Sequence, residues 1–216
     1  MYGVKRTGIR FVLSNFQSGH EQEASEWYNT YTSRILFPGL LVNAFRFEND
    51  DAANTDDDPR YAALYDFVTD DLKAGWPSTD HHPDYPHHMF DQDERWNFLT
   101  IPVRATYKLE SESGQPADSV TGVVLLRNNG DYGSARERWA AEALTSGLFS
   151  SVPRYSLVDG EPHPEAWLEV FETTDPDPST VLDRVRQQVG QIPAGADGTA
   201  PFAASFRFLG SAFAPE

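Results

Sequence analysis

Cysteine is absent from the 216 residues, methionine occurs twice, and lysine occurs only at Lys5, Lys73 and Lys108. Without thiols the chain has no disulfide, no thiolate metal site and no cysteine nucleophile, and a cytoplasmic protein is the default expectation. No apolar run approaches the roughly 20 residues of a membrane-spanning helix. The start, Met1-Tyr2-Gly3-Val4-Lys5-Arg6, is basic, but it leads to Ser14, Asn15 and Gln17 without a small-residue cleavage site, so it does not read as a signal peptide. Positive charge is scarce: 17 Lys and Arg stand against 33 Asp and Glu, a net charge of −16. Such a surface repels phosphate groups, which argues against nucleic acid and anionic membrane as partners. The preference for arginine over lysine, with aspartates gathered at Asn49-Asp50-Asp51 and Asp56-Asp57-Asp58, fits a GC-rich genome or a salt-rich habitat. Phosphate-binding glycine loops, dinucleotide fingerprints and a Gly-x-Ser-x-Gly elbow are missing too.

What is present is an internal echo. Gly8-Ile9-Arg10-Phe11-Val12-Leu13, followed by a helical stretch with Trp27, answers Val120-Thr121-Gly122-Val123-Val124-Leu125, followed by a helical stretch with Trp139, at an offset of 112. Further on the offset is 104, where Ala63-Leu64-Tyr65-Asp66-Phe67 meets Trp167-Leu168-Glu169-Val170-Phe171 and Phe98 meets Phe202. Two similar units, each with a sheet face to cover, suit packing against one another.

Alternation and helical spacing predict the elements. In the first half, strands span Ile9 to Gln17, Val42 to Glu48, Tyr61 to Val68 and Asn97 to Leu109. A helix spans Glu21 to Leu36, and a shorter one starts at Thr69 and runs to Trp76. Ala24, Trp27, Tyr28, Tyr31 and Ile35 recur at three- and four-residue spacing and form the face turned to the sheet. The acidic run from Asn49 to Pro59 reads as a solvated hairpin loop. The second half repeats the order: strands over 120–127, 152–158, 166–173 and 202–213, helices over 132–148 and 180–189. Each half is then β-α-β-β-α-β, a ferredoxin-like unit. The expected organisation is unit 1 over residues 1–110, a linker over 111–119 and unit 2 over 120–216, an α+β pseudo-dimeric barrel.

The run Glu26-Trp27-Tyr28-Asn29, Phe37-Pro38-Gly39, a strand carrying Arg46, and Arg60-Tyr61-Ala62-Ala63-Leu64-Tyr65 resembles the EthD-like branch of the dimeric α/β-barrel superfamily. Where that family carries a histidine five residues after the helix tryptophan, this chain has Thr32. The segment His81-His82-Pro83-Asp84-Tyr85-Pro86-His87-His88-Met89-Phe90 is similar in place and composition to the His-Pro-x-His segment of olivetolic acid cyclase-type enzymes of the same superfamily, one histidine of which is the base. These resemblances imply a small-molecule enzyme, a cofactor-independent lyase, cyclase or oxygenase, working on a hydrophobic, aromatic or polyketide-like substrate. The alternative is a non-catalytic binding or stress-related protein of the same fold, which the absence of the helix histidine suits. Chlorite dismutases and dye-decolourising peroxidases use tandem ferredoxin-like units around haem, but no segment here matches their proximal histidine.

The candidate residues follow from chemistry. Imidazole titrates near pH 6.5, so His87 and His88 are candidate acid/base groups. His81, His82, His87 and His88 are alternatively ligands for zinc, copper or iron, or parts of an exposed structural insertion. Tyr28 and Tyr31 are candidate donors to an enolate or phenolate oxygen in the barrel, and Trp27, Phe45, Tyr61 and Tyr65 are candidate substrate contacts. Such aromatics more often simply fill a core and tie off their hydroxyls at its edge. The expected partner is a hydrophobic small molecule, the expected cofactor none, and a homodimer is a compatible assembly.

Overall fold

The computed structural model describes residues 5–36, 40–49, 51–73, 94–117, 119–130, 133–161, 164–189 and 202–213. Strands β1 (Gly8–Phe16), β2 (Leu41–Glu48), β3 (Tyr61–Phe67) and β4 (Leu99–Gly114) come from the first half, and β5 (Gly122–Asn128), β6 (Ser151–Glu161), β7 (Trp167–Thr173) and β8 (Phe202–Phe213) from the second. They close into one antiparallel barrel in the order β1-β3-β2-β8-β5-β7-β6-β4. Each half contributes one arc, β4-β1-β3-β2 and β8-β5-β7-β6, and the arcs are joined by the β2–β8 and β4–β6 ladders. Helix α1 (Glu21–Arg34) lies against the first arc, and α2 (Gly133–Thr145) and α3 (Pro178–Val189) against the second.

Strand alternation sorts the side chains. Ile9, Phe11 and Leu13 of β1 face the barrel interior with Phe45, Phe47, Ala62, Leu64, Tyr107, Val123, Leu125, Tyr155, Leu168, Val170 and Phe206. An eight-stranded barrel is just wide enough for side chains to fill, and here they do. Each large apolar side chain so buried contributes about 1.5–3 kcal/mol. The intervening residues face outwards. Val12, Ala63 and Tyr65 meet the predicted face of α1, and Val124, Leu126 and Phe171 meet α2 and α3.

Among the described residues the order of the eight strands and of three helices agrees with the sequence reading; several details differ. Phe98 lies in a 3₁₀ turn (Glu94–Phe98) rather than in β4. β4 runs on through Ser111 to Gly114, into the expected linker, because Ser111, Glu112, Ser113 and Gly114 pair with Arg154, Pro153, Val152 and Ser151 across the seam. Of the expected helix from Thr69, Leu72 and Lys73 are helical and 74–76 lie outside the described residues. The acidic hairpin loop is tied down as well as solvated: Asn54, at φ 60°, donates its side-chain amide to the Phe16 carbonyl.

The correspondence between the halves is also shifted by two residues. Gly8 pairs with Phe67 and Gly122 with Thr173, so Gly122, not Val120, holds in β5 the place of Gly8, and Glu172, not Val170, holds in β7 the place of Asp66. A strand has a side-chain period of two, so a two-residue slip leaves every residue on its correct face. Apolar pattern alone cannot detect it.

Both glycines are sterically required. A Cβ on Gly122 would run into Pro178 and come within 2.6 Å of the Phe206 carbonyl oxygen; one on Gly8 would collide with the Tyr107 carbonyl and approach Leu72 Cδ1 to 2.7 Å. Gly122→Ala should therefore destabilise by about 1–3 kcal/mol, the usual cost of overpacking, read as a shift in the urea midpoint at constant slope. An unchanged midpoint would show that α3 yields freely.

Candidate active site

The tyrosines expected inside the barrel stand outside it. Tyr61 and Tyr65 occupy outward positions of β3, between the inward Ala62 and Leu64, and form with Trp27, Tyr28 and Tyr31 the layer beneath α1. The helix puts Trp27, Tyr28 and Tyr31 on one side, and their rings pack closely: Tyr28 and Tyr31 stack at 5.6 Å, Trp27 and Tyr31 at 5.8 Å, and Trp96 meets Trp27 edge-on at 4.8 Å. Of the predicted substrate contacts, Phe45 alone points into the barrel. Thr32 is buried and donates to the Asn29 carbonyl. His81, His82, His87 and His88 lie outside the described residues. Their segment is flanked in sequence by Leu72 and Trp96, both of which pack in the α1 layer.

Within this layer two phenols meet: Tyr28 and Tyr65 share a hydrogen bond of 2.9 Å between their hydroxyls. Arg46, on the outward side of β2, lies over the Tyr28 ring at 4.7 Å. It donates to the Ser25 carbonyl at 2.9 Å, to Asn29 Oδ1 at 2.5 Å and to Ser25 Oγ at 3.3 Å. None of these partners is a carboxylate; Glu48 acts on Arg46 electrostatically, after burial and the three tyrosines. Arg10, outward on β1 and buried, donates to Thr106 Oγ1 and adds to the positive potential at Tyr28. Burial raises the Tyr28 hydroxyl above the ordinary tyrosine range, opposed by its bond to Tyr65 and by Arg46 and Arg10. Tyr65 is held well above that range by burial and by the neighbouring Tyr28 and Tyr31. Tyr61 is pushed up to about 12, by burial first and by Glu48 second. All three are neutral donors at pH 7.

The second half lacks this arrangement. Arg154 on β6 pairs with Glu169 as Arg46 on β2 pairs with Ala63, so the two arginines hold matching places. Arg154 lies over Trp167 at 3.7 Å and within 3.7 Å of Glu169, which also accepts from Arg136 at 2.7 Å. Phe171 stands where Tyr65 stands, and Ala140 follows Trp139 as Tyr28 follows Trp27. There the arginine's neighbour is a carboxylate, Glu169, and not a phenol.

A second polar group closes one end of the barrel, and nothing in the sequence reading singled it out. Arg6, just before β1, reaches Glu112 at 2.5 Å, Glu172 at 3.2 Å and Asp66 at 3.8 Å. The available signal was a lone charge inside an apolar strand: Asp66 in β3 and Glu172 in β7 occupy inward positions. The remaining histidine among the described residues, His20, stacks on Phe98 at 3.9 Å. Among the described residues no group of three or more His, Cys, Asp or Glu is placed to hold a metal ion, and no helix is long and apolar enough to cross a membrane.

No protein-family model and no curated protein matches the sequence. Solved structures do match in fold. An anthrone oxidase-like protein superposes with a TM-score of 0.54 at 10% identity, covering 98% of this chain and 95% of its own. A candidate monooxygenase from Lactobacillus acidophilus gives 0.51 at 8%, covering 97% of both chains. A mutant chlorite dismutase from Candidatus Nitrospira defluvii, in complex with cyanide, gives 0.55 at 7%, covering 94% of this chain and 91% of its own. At 7–10% identity these matches show a shared fold, which in this chain is a closed eight-stranded barrel with helices on its outside.

Proposed function

We propose that the protein is a small-molecule enzyme of the oxidase or monooxygenase type, acting without a cofactor on a hydrophobic aromatic or polyketide-like substrate, and that its two arcs are tandem ferredoxin-like units of EthD-like descent. The observation that carries this reading is the neutral phenol pair Tyr28–Tyr65 beside Arg46, buried among aromatic rings. Preorganised donors and a guanidinium in a water-poor site stabilise an oxyanion as it develops. A carbon acid next to a carbonyl would lose its proton to a base, with His87 and His88 the candidates, and the enolate or phenolate oxygen would be held by the phenols and by Arg46. Such an electron-rich anion reacts with dioxygen: a CH₂ becomes a carbonyl, one oxygen atom enters the product and the other leaves as water. The names of the matching structures, anthrone oxidase-like and candidate monooxygenase, support this choice over lyase or cyclase chemistry.

Oxygen uptake with anthrone and with simpler benzylic ketones, using purified protein whose visible spectrum is recorded first, tests the reading. Uptake by protein without a visible chromophore or stoichiometric metal supports it, and His87→Ala or His88→Ala should then lower the rate about 10²- to 10⁴-fold. A Soret band, or uptake that depends on added metal, overturns the cofactor-free reading. Full activity in both histidine variants overturns their role as the base.

A further inference from the structure

The barrel end closed by Arg6 has an excess of acid. Asp66 and Glu172, 3% and 5% exposed, and the less buried Glu112 face a single guanidinium. Asn43 neutralises no charge but donates to Asp66 Oδ2 at 2.9 Å, and Ser151 donates to Glu112 at 3.1 Å. Glu172 Oε2 is buried and, among the described residues, has no hydrogen-bond partner. An unpaired buried carboxylate oxygen costs more than an unmade bond between neutral groups, so something is expected to meet it. Glu172, Asp66, Arg6 and Tyr155 line a cavity of about 20 Å³ inside the barrel, whose other walls are apolar side chains such as Phe45 and Val123. That is room for one water-sized species. Arg6 and Asp66 also line an open cleft of about 690 Å³ at the barrel mouth. They therefore form the wall between the two spaces, and their 3.8 Å contact is the longest of the three that Arg6 makes.

We propose that this barrel end binds a primary ammonium group, its head seated in the inner cavity against Glu172 and Asp66 and any attached chain lying in the mouth cleft. Three features select that class. A primary ammonium is water-sized, it carries the positive charge that the carboxylates lack, and its donors suit Glu172 Oε2, Asp66 and the Tyr155 hydroxyl. A quaternary ammonium is too large for the cavity and has no donor. The charged and titratable groups facing the site are Arg6 before β1, Asp66 on β3, Glu112 on β4, the neutral phenol of Tyr155 on β6 and Glu172 on β7, with Lys5, Asp70, Lys108 and Glu110 in the outer cleft. Lys108 is itself paired with Glu110 at 3.4 Å. This site lies inside the barrel and shares no residue with the phenol pair, so neither depends on the other.

Thermal unfolding of the full chain at pH 8 and constant ionic strength provides the test, with ammonium, methylammonium, tetramethylammonium and sodium chlorides as the four ligands. Ammonium and methylammonium should raise Tm saturably, by roughly 3–6 °C at about ten times Kd, while sodium and tetramethylammonium do not. Glu172→Gln should abolish the difference between the salts. Equal effects of all four salts, or stabilisation by acid alone with indifference to amines, overturns the proposal, and because the salt series is run on the unaltered protein this holds even where Glu172→Gln fails to fold.

Discussion

Arg6→Met should be among the most damaging single substitutions outside the apolar core, destabilising by about 3–5 kcal/mol, the cost of leaving buried charges without their partner. Arg6 ties β3 of the first arc and β4 at the seam to β7 of the second arc through Asp66, Glu112 and Glu172. Burial alone opposes the charge of Arg6, yet Tyr155 and the three carboxylates hold its pKa well above the usual arginine value. The loss should depend on pH in a definite sense. Burial raises Asp66 and Glu172 above the ordinary carboxylate range, and Arg6 pulls both back down. A carboxyl whose folded pKa is raised contributes stability that is complete below its unfolded pKa and is lost as pH rises through the folded value. Without Arg6 both folded values climb further, so the variant should be least impaired near pH 4 and worst at neutral pH and above. Urea unfolding at several pH values measures this. A deficit that grows towards acid, or a variant as stable as the parent at pH 8, would remove Arg6 from the account. Adding Glu172→Gln to Arg6→Met should restore part of the stability at pH 8, because it deletes one of the stranded charges.

How far the sequence could be read depended on which side chains carry period. Strands such as Gly8–Phe16 and Phe202–Phe213 are apolar and aromatic runs of strand length, and the α1 face of Ala24, Trp27, Tyr28, Tyr31 and Ile35 recurs at helical spacing, so these elements were legible. Three features were not. The side of the sheet on which Tyr61 and Tyr65 stand depends on which face closes the barrel, and in β3 (YAALYDF) both sets are apolar enough to be buried. Every residue of that strand is in fact buried, so burial leaves the two faces without contrast. The two-residue slip between the halves is invisible to a period of two. Arg6 sits in a short basic start that looks like solvated surface, and only the closure of the barrel brings it to Asp66 and Glu172, residues 60 and 166 positions away. Long-range ion pairs of that kind have no local signature. The phenol pair belongs to the same class: Tyr28 and Tyr65 were each chosen for chemical type, but their bond and the overlying Arg46 arise from packing a helix on a sheet.

Tyr65→Phe should lower turnover about 10²- to 10³-fold on whatever aromatic ketone the oxygen-uptake screen identifies, the usual loss when one donor to a developing oxyanion is removed. The effect on stability should be the smaller of the two. Phenylalanine fills the same volume, and it is the residue found at the matching place, Phe171, against α2. What is lost is one buried hydroxyl bond, with Tyr28 left without that partner, worth about 1–3 kcal/mol. That corresponds to a fall in Tm of no more than about 12 °C for a chain of this length, still permitting assay of the folded protein. Because the hydroxyl acts on the transition state more than on the bound ketone, the fall should appear in kcat and kcat/KM together, with KM little changed. Arg46→Met removes the positive charge over Tyr28 and should produce a comparable loss; the double variant should lose less than the product of the two, since both groups would act on one oxygen. A readout besides rate separates chemistry from packing. Burial and Arg46 oppose one another at Tyr28, so Arg46→Met should raise the Tyr28 hydroxyl further, seen as later ionisation of that one phenol in the difference between alkaline titrations with and without Tyr28→Phe. If Tyr65→Phe retains turnover in proportion to its folded fraction, the phenol pair is core and not machinery, and the oxyanion must be held elsewhere in the molecule.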